Sequence, residues 1–237
     1  MIQEHTSQGI VTVDIPNDIK SVIIKMSGGA DSSLIAYLFA EFKKNIRWDL
    51  DLIAVTLEVE SKPYQVMYAK KVIKWINQNL GIEFKDHIYD NMGTSYSKVV
   101  NGDDLYADHQ WELVNLAYDK HNCQAHVIGV TRNPPIGSLT RHGINQEIEV
   151  GERDSLREPD LETQQTIINH GTHYAIQPFV NIDKRAVAEI YNNKQLIKTL
   201  YPHTRSCESP SIGDQMQIHC GACWWCAERQ WGFGKLI

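Results

Sequence analysis

The sequence predicts an α/β protein on a parallel sheet in three layers. Short β-rich runs alternate with helical patterns between about residues 21 and 130, and a Gly-rich turn joins the first run to its helix. There is no internal repeat or low-complexity linker to suggest another architecture. Val22–Met26 reads as the first strand and Asp31–Lys44 as the helix after it, with Leu34, Ile35, Leu38, Phe39 and Phe42 on one face. Leu52–Val59 is the next strand. The helix Tyr64–Leu80 places Val66, Ala69, Val72, Ile73, Ile76 and Leu80 at apolar spacing, with Gly81 as its C-terminal cap. A strand at Glu83–Tyr89, a helix at Leu105–His121 and a strand at Ala125–Val130 continue the alternation. From Thr131 to about His173 the chain turns polar and weakly periodic, the pattern of a lid or insert. Order returns at Ile176–Val180, a helix at Lys184–Asn193 and a second helical stretch at Gln195–Leu200. The expected organisation is a main domain over 1–200, with 131–175 as a substrate-side insert, and a cysteine-rich module over 201–237.

At 237 residues the chain is long enough for one sizeable core, and its 42% hydrophobic and 22% charged content is that of a globular protein. A formal charge of −6 argues against a partner held by generic contacts to a nucleic-acid backbone. No apolar run approaches the ~20 residues that span a bilayer, which argues against a membrane partner. The first residues, Met-Ile-Gln-Glu-His-Thr, lack the basic start and apolar core of a signal peptide, so a cytoplasmic location is expected. In that compartment the five cysteines are thiols or metal ligands rather than disulfides.

Ser27-Gly28-Gly29-Ala30-Asp31-Ser32-Ser33 follows the apolar run Val22-Ile23-Ile24 where a buried strand turns into a helix. Backbone N–H groups and the positive end of the helix dipole converge there, the glycines permit close approach and the serines add hydroxyls, which together make a phosphate site. It is not a Walker loop, since no G-x-x-x-x-G-K-[ST] occurs. Near the other end, Cys207, Cys220, Cys223 and Cys226 follow C-x12-C-x2-C-x2-C. Four thiolates complete a tetrahedron with no open position, so the spacing points to structural zinc, with an iron–sulfur cluster as the main rival. Cys123 stands apart and reads as a small buried hydrophobe. Trp224, Trp225, Trp231 and Phe233 crowd the cysteines and are expected to pack that module onto the sheet, with stacking on a purine-like ligand as the rival. Of ten histidines only His219 touches a motif.

The heptapeptide resembles the S-G-G-x-D-S signature of the PP-loop ATP pyrophosphatases, whose fold is a three-layer α/β domain. Joined to Ser206-Cys207 and to Cys220-Gly221-Ala222-Cys223-Trp224-Trp225-Cys226-Ala227-Glu228-Arg229, with Pro178–Lys184 between them, it resembles the 7-cyano-7-deazaguanine synthases over Val22 to Phe233. That resemblance implies an ATP-dependent carbon–nitrogen ligase of queuosine precursor biosynthesis. A carboxylate, that of 7-carboxy-7-deazaguanine, is adenylated with release of pyrophosphate. Ammonia displaces AMP to give the amide, and a second activation gives the nitrile. It implies ATP as co-substrate with Mg²⁺, and one structural Zn²⁺ on Cys207, Cys220, Cys223 and Cys226. Asp31, Ser27 and Lys184 would carry the catalysis, with Lys184 as a cation for the phosphates. The nucleotide-contacting set would be Met26, Ser27, Gly28, Gly29, Ala30, Asp31, Ser32, Ser33, Leu34, Ile35, Ala36 and Gly129. Lys184 as an exposed lysine of a first helical turn, and Arg205 and Arg229 as residues of the surface or the zinc module, are the competing readings. The partners implied are a small deazapurine carboxylate and ammonia, with no direct nucleic-acid contact; a homodimer is left open.

The chain departs from that family at two places. Glu58-Val59-Glu60-Ser61-Lys62 stands where an Asp-Tyr-Gly-Gln-type turn is usual, and Gly129–Asn133 is followed by Pro134-Pro135 with no Tyr-Pro-Asp. The rival functions are another PP-loop activity (tRNA-modifying or sulfonucleotide-related) and a non-catalytic nucleotide-binding zinc module.

Overall fold

A computed structural model describes residues 1–58, 64–91, 105–139, 157, 164–207, 219–221 and 223–236. Two expectations fall outside these residues: the turn at Val59–Lys62, and most of the insert, 140–156 and 158–163.

The sheet grows from β3 (Ser21–Lys25), whose Val22, Ile23 and Ile24 are fully buried. Side chains alternate across a strand. Here Val22 and Ile24 enter the larger core, and Ile23 enters a second cluster on the opposite face. Both faces are therefore covered, as a parallel sheet requires. β4 (Asp51–Glu58) and β5 (Asp86–Asn91) add in parallel on one side of β3, and β6 (Ala125–Val127) adds in parallel on the other. β8 (Tyr174–Ile176) continues beside β6, and β7 (Ile167–Asn169) closes the edge antiparallel to it. The six strands lie in the order β5-β4-β3-β6-β8-β7.

Helices α1 (Ala30–Asn45) and α2 (Gln65–Leu80) cover one face together with α4 (Lys184–Asn193), and α3 (Leu105–His121) covers the other. α1 is apolar almost all round, and Leu34, Ile35, Ala36, Leu38, Phe39 and Ala40 are all within 1% of full burial. α2 ends at Gly81, left-handed at φ 69°, whose N–H bonds to the Asn77 carbonyl. α4 begins at Asp183, whose carboxylate accepts from the Arg185 N–H. The last helix, α5 (Trp224–Phe233), packs on α4 and ends at left-handed Gly234.

Three features differ from the sequence expectation. An N-terminal hairpin, β1 (Ile2–Thr6) with β2 (Gly9–Val13), lies outside the main sheet, and its Val11 and Val13 enter the larger core. The insert contributes β7 to the sheet edge. Gln195–Leu200 is a series of turns, because Gln195 takes φ 58° and stops the helix after Asn193; a single 3₁₀ turn follows at Tyr201–His203. No helix among the described residues is long and apolar enough to cross a membrane.

Candidate active site and metal centre

The strand order reverses at β3 and β6. In an open parallel sheet ligands collect at such a switch, beyond the C-terminal strand ends. A cavity of about 210 Å³ opens there, bordered by Lys25–Ser27 at the end of β3, Ile128–Val130 after β6, and Gly29, Asp31 and Ser32 at the start of α1. That volume lies below the ~300 Å³ at which whole small-molecule pockets begin, and matches the phosphate part of a nucleotide better than all of one. A larger cavity of about 680 Å³ lies on the outward face of α2, among Val66, Met67, Lys70, Lys74 and Tyr89. The start of α2 is already occupied there by a carboxylate: Glu58 accepts from the Val66 N–H at 3.1 Å. The smaller cavity is therefore the phosphate candidate.

Its loop is held by its own hydroxyls. Ser27 N–H donates to Ser32 Oγ at 3.2 Å, Gly29 N–H donates to Ser27 Oγ at 3.3 Å, and the two hydroxyls lie 3.1 Å apart. Gly29 caps α1 without a side chain, which leaves first-turn N–H groups beside the cavity. Gly28 sits at φ +74°, and a Cβ there would lie 2.6 Å from Tyr68 Cβ. No other residue type fits where α2 presses on the loop.

Of the expected nucleotide contacts, Met26, Ser27, Gly29, Asp31, Ser32 and Gly129 border the cavity. Leu34, Ile35 and Ala36 belong to the core instead, one turn into a buried helix. Gly28, Ala30 and Ser33 shape the loop without bordering the cavity.

Asp31 and Lys184 meet, but Lys184 is not an exposed first-turn lysine. It is 3% exposed, and its Nζ pairs with Asp31 Oδ2 and lies 3.6 Å from Glu228 Oε2. Glu228 Oε1 in turn accepts from Arg157, whose Nε donates to the Thr131 carbonyl at 2.8 Å. Four charged side chains thus run from α1 through α4 and α5 to the segment after β6. Lys184 is committed to two carboxylates. Asp31 Oδ1 is buried and has no hydrogen-bond partner among the described residues, so it is a charged acceptor left open at the cavity. A hard oxygen donor of that kind suits Mg²⁺, which prefers one or two carboxylates alongside substrate phosphates.

Arg205 and Arg229 are both buried, so neither serves the surface. Arg229 donates to Thr204 Oγ1 at 3.0 Å and to Ser206 Oγ at 3.3 Å, and lies 3.8 Å over the Tyr201 ring. Burial lowers its ordinary value, an effect countered by the tyrosines Tyr201 and Tyr191. The strand-like segment it fixes touches the loop: Arg205 N–H donates to the Gly28 carbonyl at 2.8 Å, and Ala30 N–H reaches Ser206 Oγ at 3.5 Å.

Cys207 follows directly. Its sulfur and those of Cys220, Cys223 and Cys226 all lie within 4.8 Å of one another, with Cys220 and Cys226 at 3.9 Å. The N–H groups of Cys220, Cys223 and Cys226 donate to the sulfurs of Cys207, Cys220 and Cys223 at 3.4, 3.3 and 3.4 Å. Such donors favour thiolates, and Cys223 caps α5 by the same bond. Thiolates bound tetrahedrally at ~2.3 Å from one ion are about 3.8 Å apart. The donor set therefore fits a metal ion.

The tryptophans pack. Trp224 and Trp231 join Leu139 and Ala227 in a satellite cluster, with Trp225 against it, and Phe233 stacks on Tyr201 at 4.3 Å. His219 Nδ1 lies 3.8 Å from Cys226 Sγ, beside the four sulfurs rather than among them. Cys123 is buried between Ser21 Oγ and the Ala117 carbonyl, and burial pushes its thiol up.

Three residues that shape the site, Glu228, Arg157 and Gly232, were not among the expected site residues. Glu228 and Arg157 gain their roles only through contacts distant in sequence. Gly232 allows α5 to meet α4: a Cβ there would lie 2.4 Å from Lys184 Cγ. Its place just beyond the cysteine motif was the available clue.

No protein-family model and no curated protein matches the sequence. Among solved structures the chain is similar to the U34-tRNA thiolase NcsA from Methanococcus maripaludis with its 4Fe-4S cluster, at 18% identity and a TM-score of 0.46, covering 84% of this chain and 61% of that one. It is also similar to NAD⁺ synthetase from Burkholderia pseudomallei, at 12% identity and a TM-score of 0.40, covering 92% of this chain and 75% of that one. The chain spans less than two thirds of the thiolase's length.

The loop geometry yields a stability prediction. Gly28→Ala should lower the unfolding free energy by more than about 1 kcal/mol, because it adds a left-handed non-glycine residue and a clash. Denaturant unfolding at constant slope checks this, and an unchanged midpoint contradicts the packing of α2 on the loop.

Proposed function

We propose that the chain is an ATP-dependent enzyme that adenylates a substrate oxygen and releases pyrophosphate. The observation that carries this reading is the glycine-lined cavity at the sheet's switch point, with Asp31 beside the open start of α1. In the reaction an acceptor oxygen attacks the α-phosphorus of ATP, and the bond to the β-phosphate oxygen breaks. Negative charge then grows on the departing pyrophosphate. Fixed N–H groups and the helix dipole lower the energy of that charge without reorganising. Ser27 and Ser32 hold the loop in shape, and Asp31 offers Oδ1 toward the cavity. Asp31 would hold Mg²⁺, which supplies charge neutralisation on the phosphates when bound.

The acceptor we propose is the carboxylate of 7-carboxy-7-deazaguanine, by the resemblance of loop and cysteine motif together. The acyl adenylate loses AMP to ammonia, giving the amide and releasing a proton. The amide oxygen then attacks the α-phosphorus of a second ATP, releasing pyrophosphate. Loss of AMP from the adenylated amide, with both amide N–H protons released over the two steps, leaves the nitrile. In place of Tyr-Pro-Asp, the segment just past the cavity residue Val130 is tied down by Arg157, which donates to Thr131 and to the Arg132 carbonyl.

Zinc is the proposed ion on Cys207, Cys220, Cys223 and Cys226, where it would fill a closed structural site. The support is compactness: a four-iron cubane sets one cysteine on each iron and holds the sulfurs further apart than one tetrahedral ion does. The proposed cellular site is the cytoplasm, as thiol ligands suit.

Incubation with ATP, Mg²⁺, ammonium and 7-carboxy-7-deazaguanine tests the reaction by mass spectrometry. Amide and then nitrile should accumulate with AMP and pyrophosphate. ADP and phosphate as products would overturn the adenylation reading; AMP formed only with a tRNA acceptor would overturn the deazapurine. Metal analysis of the purified chain should give about one zinc per chain, whereas iron with acid-labile sulfide would contradict the single-ion site.

A further inference from the structure

We propose that Lys25 is the working cation of the loop cavity, an ammonium that neutralises the polyphosphate of a nucleotide seated against Ser27–Ser33. This rests on the reading of that cavity as a nucleotide site. Lys184 cannot take the role without leaving Asp31 and Glu228, its two carboxylate partners. Lys25 ends β3 at the cavity wall. Among the described residues it has no carboxylate partner, and its Nζ lies 5.1 Å from the centre of the Trp111 ring. It is thus a cation beside a cradle for anions, with its charge unspent.

Its surroundings leave that charge exposed to a ligand's field. α3 brings Gln110, β4 brings Leu57 and α2 brings Gln65 to the same cavity, and α3 sets Trp111 beside the Lys25 ammonium; none of these is charged. β6 brings His126, which burial and then Lys25 itself push down to about 3, so it stays neutral near pH 7. α1 brings Asp31, already paired with Lys184. Burial among these groups lowers Lys25 itself to about 8. A bound polyphosphate favours the protonated form and raises that value again, so binding takes up a proton above pH 8. Affinity for an anion should consequently fall as pH rises through this range.

Calorimetric titration with the Mg²⁺ complex of α,β-methylene-ATP at pH 7 and pH 9 tests the proposal on the full chain, with Lys25→Met and Lys25→Arg in parallel. Wild type should bind about tenfold more weakly at pH 9, the change in the protonated fraction of a lysine titrating near 8. Lys25→Met should bind at least tenfold more weakly than wild type at pH 7 and lose the extra pH dependence. Lys25→Arg, charged throughout, should hold its affinity at pH 9 and confirm that charge rather than fold is being read. If wild type binds and Lys25→Met matches it at both pH values, Lys25 has no such role and the nucleotide site stands. If wild type binds at neither pH, both readings fall.

Discussion

Asp31, Lys184, Glu228 and Arg157 form one line of alternating charge, buried apart from half-buried Asp31 at its cavity end, and the arrangement of the cavity hangs on it. Each member comes from a different part of the chain: the first turn of α1, the start of α4, the middle of α5, and the insert. Buried ion pairs are poor sources of net stability, because desolvation offsets most of their attraction. Removing one partner is a different matter, since an unpaired charge is left in a dry place. Such a line therefore acts mainly as a specification. It fixes where four segments meet, and they meet around the Ser27–Ser33 loop.

The four-cysteine cluster belongs to the same construction. The segment Thr204–Cys207 touches the loop through Arg205 and Ser206 and delivers the first sulfur ligand. α5 begins at the third ligand, Cys223, carries the fourth, Cys226, and two residues on places Glu228 against Lys184. An ion held by the four sulfurs would fix both the segment behind Gly28 and the helix that bears Glu228, and with them the frame in which Asp31 is held.

Much of this was legible in the sequence where the signal is local. β3, α1, α2 and α3 announce themselves through β-branched runs and apolar periodicity, and the loop through two glycines that few other contexts need. The cysteine spacing likewise encodes its own geometry. What escaped reading depends on partners far along the chain. β7 is three residues long, and β1–β2 has one apolar stripe whose counterpart in the core lies elsewhere. Leu34, Ile35 and Ala36 adjoin the Ser27–Ser33 loop in sequence, yet helix geometry turns them into the core within one turn. Lys184 reads equally as a phosphate cation or an exposed lysine, because the two carboxylates that engage it instead are 153 and 44 residues away in number. Lys25 ends an otherwise apolar strand, a small irregularity whose meaning appears only once the cavity is seen.

The central claim is that Asp31 and Glu228 act on each other through Lys184. A double-mutant cycle with Asp31→Asn and Glu228→Gln, read by denaturant unfolding, addresses it directly. Either single change leaves Lys184 one carboxylate, whereas the pair leaves it none. The double variant should therefore lose more stability than the sum of the singles, by about 0.5 kcal/mol or more. Additivity within about 0.3 kcal/mol would mean that the two carboxylates are independent, and the account of a continuous buried line would be wrong.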